Sequence, residues 1–135
     1  RPYIYNYEEI IEKIKNISEI KGASPYIMSQ AIYKSNKYII GGIIKGIDPE
    51  REQKVTNIKN FVKKGKFEDI ENGIILGKEL ANELGVDVND FVSVILGFTL
   101  RERIFKVVGI VEYGVYSFDV SMGFISLKNL MEIYG

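Results

Sequence analysis

The stretch IIGGIIKGIDPEREQKV, Ile39 to Val55, decides how the rest of the chain is read. Its first half is an apolar run interrupted by Gly41, Gly42 and Gly46, and its second half turns charged at Asp48-Pro49. A phosphate loop, a catalytic carboxylate corner and a joint between a strand and a helix all have to be weighed. The phosphate loop fails on its pattern, because GGIIKG lacks the spacing and the closing Lys-Ser/Thr, and its glycines do not open a helix. The joint accounts for more of the residues. Asp48 can accept hydrogen bonds from the first free helical amides, Pro49 is pre-shaped for the first helical position, and Glu50 suits the positive end of the helix dipole. Asp48 with Glu50 and Glu52 could also form an acid-base or cation site, but capping already explains Asp48. Glycines are costly inside an ordinary strand, so Gly41, Gly42 and Gly46 predict a bulge or a close approach of neighbouring backbone.

Upstream, SPYIMSQAIYKSNKYII reads as two strands joined by the polar turn KSNK. Ile27, Ser29, Ala31 and Tyr33 share one face of the first strand and Tyr26, Met28, Gln30 and Ile32 the other, and the expectation is that both faces are at least half buried. Before them, NYEEIIEKIKNI places Tyr7, Ile10, Ile11, Ile14 and Ile17 on one helical stripe, capped by Asn6 and Glu9. This helix is expected to lay its isoleucines on a sheet.

Downstream, Val55, Ile58, Phe61 and Val62 extend the helical spacing toward Gly65. GIILGKELANELGVDVNDFVSVILG then reads as a short buried strand, a helix with Leu76, Leu80, Ala81 and Leu84 in register, a terminating Gly85, a turn at Asn89-Asp90 and another strand. RERIFKVVGIVEYG is a longer strand apolar on both faces, hence central or between layers. MGFISLKNLMEIYG closes with a strand and a helix capped by Ser126. The whole reads as a mixed α+β chain, its sheet mainly antiparallel and accompanied by helices, with about four helices and six or seven strands.

At 135 residues the chain can bury a real core, and its 46% hydrophobic and 27% charged residues are those of a folded globular protein. Its 18 acidic and 18 basic residues cancel, so no net field draws it to nucleic acid. It has no Cys and no His. Disulfides, thiolate metal sites, Ser-His and Cys-His nucleophiles and His-metal chemistry are therefore excluded. No catalytic, cofactor-binding or metal-ligating residue is assigned, and no cofactor is expected. No apolar run approaches the roughly 20 residues that span a bilayer. The first residue is Arg1 rather than Met, which carries the expectation of a piece cut from something longer.

The ordered set GASPYIMSQAIY, GIIKGIDPEREQKV, GIILGKELANELGVDVNDFVSVI and FKVVGIVEYGVYSFDVSMGFISLKNL resembles the extracytoplasmic (periplasmic core) domain of lipoprotein-releasing (LolC/LolE-type) or MacB-like ABC transporter permeases. The resemblance runs from about Ile17 to Gly135, and GIDP followed by LGKELA carries most of it. It implies a non-catalytic domain on the extracytoplasmic face of the bacterial cytoplasmic membrane that transmits conformational change to substrate or partner protein. A porter-like part at 1–55 with 111–135 and a smaller inserted α/β part at 56–110 would form the first portion of the family's domain. The implied partners are an ATP-binding cytoplasmic subunit acting through the rest of the permease, a second permease subunit, and a lipoprotein or its carrier, with no nucleic acid. The best-known members extend a hairpin that grips a carrier chaperone. Here ILGFTLRERI leaves room between Val94 and Phe105 for only a short turn. Phe98, Leu100 and Arg101 on that turn are the candidate partner-binding residues, because the strand's alternation through Val92, Val94 and Leu96 continues outward to apolar side chains.

Two other classes remain open, a small carboxylate-dependent enzyme and a stand-alone ligand-binding module. The acids available are Asp48, Glu50, Glu112 and Asp119, the last two flanking Tyr113, Tyr116 and Phe118. Paired carboxylates do acid-base work only when folding brings them within about 5 to 9 Å in one cleft.

Overall fold

The computed structural model describes Glu12, residues 23–97 and residues 99–134. The helix expected from Asn6 to Ile17, and Phe98, lie outside those residues.

The hairpin expected around KSNK is present. Strand β1 (Tyr26–Lys34) pairs antiparallel with β2 (Ile39–Ile47), Lys34 opposite Ile39 and Tyr26 opposite Ile47. Ser35 fastens the loop, its amide donating to the Tyr38 carbonyl and its hydroxyl to the Leu84 carbonyl. Helix α1 (Pro49–Thr56) begins where Asp48-Pro49 said it should, the Asp48 carboxylate accepting from the Arg51 amide at 3.2 Å. It stops earlier than the spacing of Val55, Ile58 and Phe61 suggested. Asn57 takes a left-handed conformation with φ of 57°, the chain turns into a 3-10 segment (Ile58–Phe61), and Val55 is left exposed. Strand β3 (Val62–Gly65) and a second 3-10 segment (Phe67–Asn72) occupy the stretch expected to be helix end and loop.

Strand β4 (Ile74–Gly77) leads into α2 (Lys78–Leu84), which ends at left-handed Gly85 as its sequence predicted; Leu76 belongs to the strand rather than to the helix. Strands β5 (Phe91–Leu96) and β6 (Glu102–Val111) form a second hairpin. A one-turn helix α3 (Tyr116–Asp119), β7 (Met122–Ser126) and α4 (Leu127–Tyr134) complete the described chain, with Ser126 Oγ accepting from the Asn129 amide at the start of α4.

These strands make one seven-stranded mixed sheet in the order β3-β6-β4-β7-β2-β1-β5. Because β5 also pairs with β6, the circuit β6-β4-β7-β2-β1-β5-β6 closes on itself and β3 stands outside it as an edge. Only β2 with β7 and β4 with β6 run parallel among the described pairs. Closure sorts the apolar residues into two cores. Inside the circuit lie Ala31, Tyr33, Ile44, Leu76, Val92, Val94, Leu96, Val107, Ile110 and Ile125, joined by Leu80 and Leu84 of α2 and Leu130 and Ile133 of α4. Outside it, Ile47, Ile75, Val108, Val111, Met122 and Phe124 are covered by Ile58, Phe67 and Ile70 of the 3-10 segments. The second half of β6 thus lies between two layers, as its two apolar faces required, while its first half is exposed.

The two faces of β1, both expected to be at least half buried, are unequal. Ala31 and Tyr33 point inward and are buried, but Tyr26, Met28 and Ile32 are 55%, 48% and 39% exposed. Alternation identified the two faces and could not say that, among the described residues, only one has a layer against it. The glycines of β2 divide in the same way. A Cβ on Gly42 would meet the Ser121 carbonyl oxygen at 2.5 Å, a close backbone approach as predicted, whereas one on Gly41 would meet nothing within 4 Å.

Candidate functional site

The carboxylates do not converge. Asp48 is occupied as a helix cap with Arg51 beside it, and Glu50 is exposed on the first turn of α1. Glu112 pairs with Lys78 at 3.5 Å on the surface. Asp119 is 3% exposed, and its two oxygens accept from the amides of Tyr113 and Gly114, each at 2.9 Å. It closes the 113–119 loop upon itself. No group of three acids that could hold a metal ion occurs among the described residues. Two aromatics of that loop are packing, Tyr113 stacking on Phe61 with centroids 4.6 Å apart and meeting Phe118 edge-on at 4.7 Å, while Tyr116 is exposed. Burial first, then the charges of Glu52 and Asp119, pushes the Tyr113 phenol up to about 12, so it is neutral at physiological pH.

A buried ion pair went unnoticed in the sequence. Glu52 in α1 is 2% exposed and accepts from Lys45 Nζ at 3.0 Å and from Ser24 Oγ at 2.8 Å. The Lys45 ammonium also stands 4.5 Å from the Tyr26 ring centroid. The seven-residue separation of Lys45 and Glu52 crosses the strand-helix joint, so neither period would have suggested it. Removing one partner would leave the other charge unpaired in a poorly solvated place, which makes the group a tie of α1 to β2 and to the segment just before β1.

An open cleft of about 800 Å³ runs between α1, the second 3-10 segment and the start of α4, with Ile47, Phe67 and Ile70 at its floor and Lys54, Lys59 and Lys128 among its rim. Acids stand between the lysines, and Lys59 is already paired with Glu68. That pairing holds the Glu68 carboxyl below its ordinary value.

The β5-β6 hairpin tip carries the sequence-predicted partner residues. Its turn closes through the Leu100 amide to the Leu96 carbonyl at 3.0 Å and the Arg101 amide to Thr99 Oγ1 at 3.2 Å. Leu100 has a φ of 55° and is 77% exposed. An L-residue with a Cβ pays roughly 1 to 2 kcal/mol for that left-handed conformation, and here no burial offsets it. Arg101 reaches back to the Ile133 carbonyl at 3.4 Å, bracing the tip against the end of α4. The tip is therefore held in shape while its apolar side chain faces outward.

Residues 2–134 match the MacB-like periplasmic core domain. The chain belongs to that family. It is 33% identical over 140 residues to the lipoprotein-releasing system transmembrane protein LolC of Neisseria meningitidis serogroup B, covering 96% of this chain and 34% of the relative. The LolC of Xylella fastidiosa strain Temecula1 is 29% identical with the same coverage. LolE of Haemophilus influenzae is 31% identical over 98 residues, which is 70% of this chain and 23% of LolE. The chain thus spans about a third or less of the length of these curated relatives. The crystal structure of the extracellular domain of the noncanonic ABC-type transporter YknZ from Gram-positive bacteria superposes with a TM-score of 0.65 at 17% identity, covering 95% of this chain and 66% of that one. At that identity the likeness speaks for the α+β fold. No described helix is long and apolar enough to cross a membrane.

Proposed function

We propose that the chain is the extracytoplasmic domain of an ABC transporter permease of the lipoprotein-releasing or MacB-like type, working by contact and shape change rather than catalysis. Relatives that carry the LolC name align over 96% of the chain, which favours the lipoprotein-releasing branch. An ATP-binding cytoplasmic subunit would drive it through the rest of the permease, with a second permease subunit beside it and a lipoprotein or its carrier as the protein it meets. The division into 1–55 with 111–135 and 56–110 is proposed as a division of labour and not of cores, since strands from both parts share one sheet.

The observation that carries the contact role is Leu100, an exposed apolar side chain held at positive φ on a braced hairpin. Folding alone gives no reason to keep a leucine there. With Arg101 beside it, the tip has the composition of a small interface anchor. Leu100→Gly in the full-length permease tests this directly. The glycine relieves the left-handed backbone, so the domain's stability should hold or rise by up to about 1 kcal/mol, while release or export activity should fall. Unchanged activity, or a large loss of stability, would remove the tip from the partner-binding role.

A further inference from the structure

Half of the outer surface of the strand circuit carries apolar side chains that no described segment covers. Register sets Ile39, Lys34, Ser93 and Ile104 in one row across β2, β1, β5 and β6, and Gly41, Ile32, Ile95 and Glu102 in the next. On the other side of the first row, Phe91 stands beside Lys106. Ile39, Phe91 and Ile104 are 69%, 62% and 70% exposed. At a strand spacing of about 4.8 Å, the row from Ile39 to Ile104 is about 14 Å wide. Single exposed apolar residues need no explanation, but a contiguous group of them marks a contact surface.

The charges on this surface say what kind of contact. The chain as a whole has no net charge. On these four strands, however, the charged outward positions are Lys34, Lys45 and Lys106 against Glu102 alone. Glu52 answers Lys45, and Glu102 lies 3.8 Å from Lys34. Lys106, and Lys37 in the turn that joins β1 to β2, are exposed and have no ion pair among the described residues. Every charge left unanswered here is therefore positive. The shape narrows the choice further. Because the circuit closes on itself, its outer surface is convex, and the strands bend away from any rigid element laid across them. A fluid surface can follow that curve and accept each protruding side chain without a matching pocket.

We infer that this face binds an anionic phospholipid surface. Ile39, Phe91 and Ile104 enter the boundary between headgroups and acyl chains, and Lys106 and Lys37 meet the phosphates, the combination by which peripheral elements hold to membranes. In a permease, as proposed above, the tether keeps the face beside a bilayer at a high effective concentration, so a weak affinity suffices.

Flotation of the chain with lipid vesicles tests this. It should rise with vesicles rich in phosphatidylglycerol and stay behind with pure phosphatidylcholine. Raising salt from about 0.1 M to about 1 M, which shortens the electrostatic range from about 10 to about 3 Å, should weaken the binding. Phe91→Ser combined with Ile104→Ser should weaken it by at least about tenfold through lost apolar insertion, with the circular dichroism spectrum and the denaturation midpoint kept. Lys106→Glu should weaken it as well, whereas Val55→Ser, at an exposed apolar residue of α1, should leave it unchanged. The chain has no cysteine, so a polarity-sensitive fluorophore attached through Ile104→Cys reports insertion directly. Its emission should shift to the blue on anionic vesicles, and the same label attached through Lys63→Cys on β3 should not respond. Absence of binding to anionic vesicles, full binding by the folded double serine variant, or a label at position 104 already shielded by protein before lipid is added would overturn the inference. Those outcomes on the isolated chain would leave the transporter reading standing, since that reading is tested by export in the full-length permease.

Discussion

The outer surface of the strand circuit has two halves of similar sequence character and opposite fates. Over the second half of β2, β7, β4 and the second half of β6, residues such as Ile47, Ile75 and Phe124 disappear beneath the 3-10 segments and the 113–119 loop. Over the first half of β2, β1, β5 and the first half of β6, Ile32, Phe91 and Ile104 remain 39%, 62% and 70% exposed. Register lines up Ile39, Lys34, Ser93 and Ile104 across four neighbouring strands of this second half. Apolar content alone therefore does not tell core from surface in this sheet. What separates the halves is whether a connecting segment returns across them. The chain between β2 and β4 crosses the first half, while the tight β1-β2 and β5-β6 turns send no described segment back over the second.

The sharpest way to break the comparison is to truncate one apolar residue on each side. Phe124→Ala removes a ring that is 1% exposed and should cost roughly 3 to 5 kcal/mol in chemical denaturation. Phe91→Ser and Ile104→Ser should each change stability by no more than about 0.5 kcal/mol. Comparable losses on both sides would mean that the second half is covered in solution.

A smaller contrast lies inside β2, where two adjacent glycines face opposite ways. Gly42→Ala drives a methyl group into the Ser121 carbonyl and toward the Tyr33 ring, and should cost about 1 to 3 kcal/mol. Gly41→Ala faces open space on the uncovered side and should be neutral or gain up to about 1 kcal/mol, because alanine restricts the unfolded chain. Thermal unfolding of the pair reads both signs at once. Equal losses would show that Gly41 also lies under a contact.

The smallest expected effect concerns Asp48. Its single cap bond to the Arg51 amide predicts a loss on the order of 1 kcal/mol for Asp48→Ala and little for Asp48→Asn. A large and equal loss in urea titrations of both would assign the carboxylate a buried charge role instead.

Much of this molecule was determined by sequence at short range. The hairpin at KSNK, the helix start at Asp48-Pro49, the left-handed stop at Gly85 and the Ser126 cap each depend on a few consecutive residues whose backbone preferences act alone. The candidate site was legible to the same extent: Leu100 and Arg101 stood out because strand alternation ran past the point where a core could receive it. Tertiary structure decided the rest. Alternation names two faces of a strand but not which face meets another layer, so the exposure of Tyr26 and Met28 was decided by the fold, in which no described segment returns across that face. Helical spacing through Phe61 was overridden at Asn57 because Ile58 and Phe61 are drawn to the outer core. Asp119 and the Lys45-Glu52 pair have no sequence signature, since what holds each of them is backbone or charge brought near by folding. Closure of the sheet belongs to the same class, being a property of registers between strands far apart in the chain, which no local preference encodes.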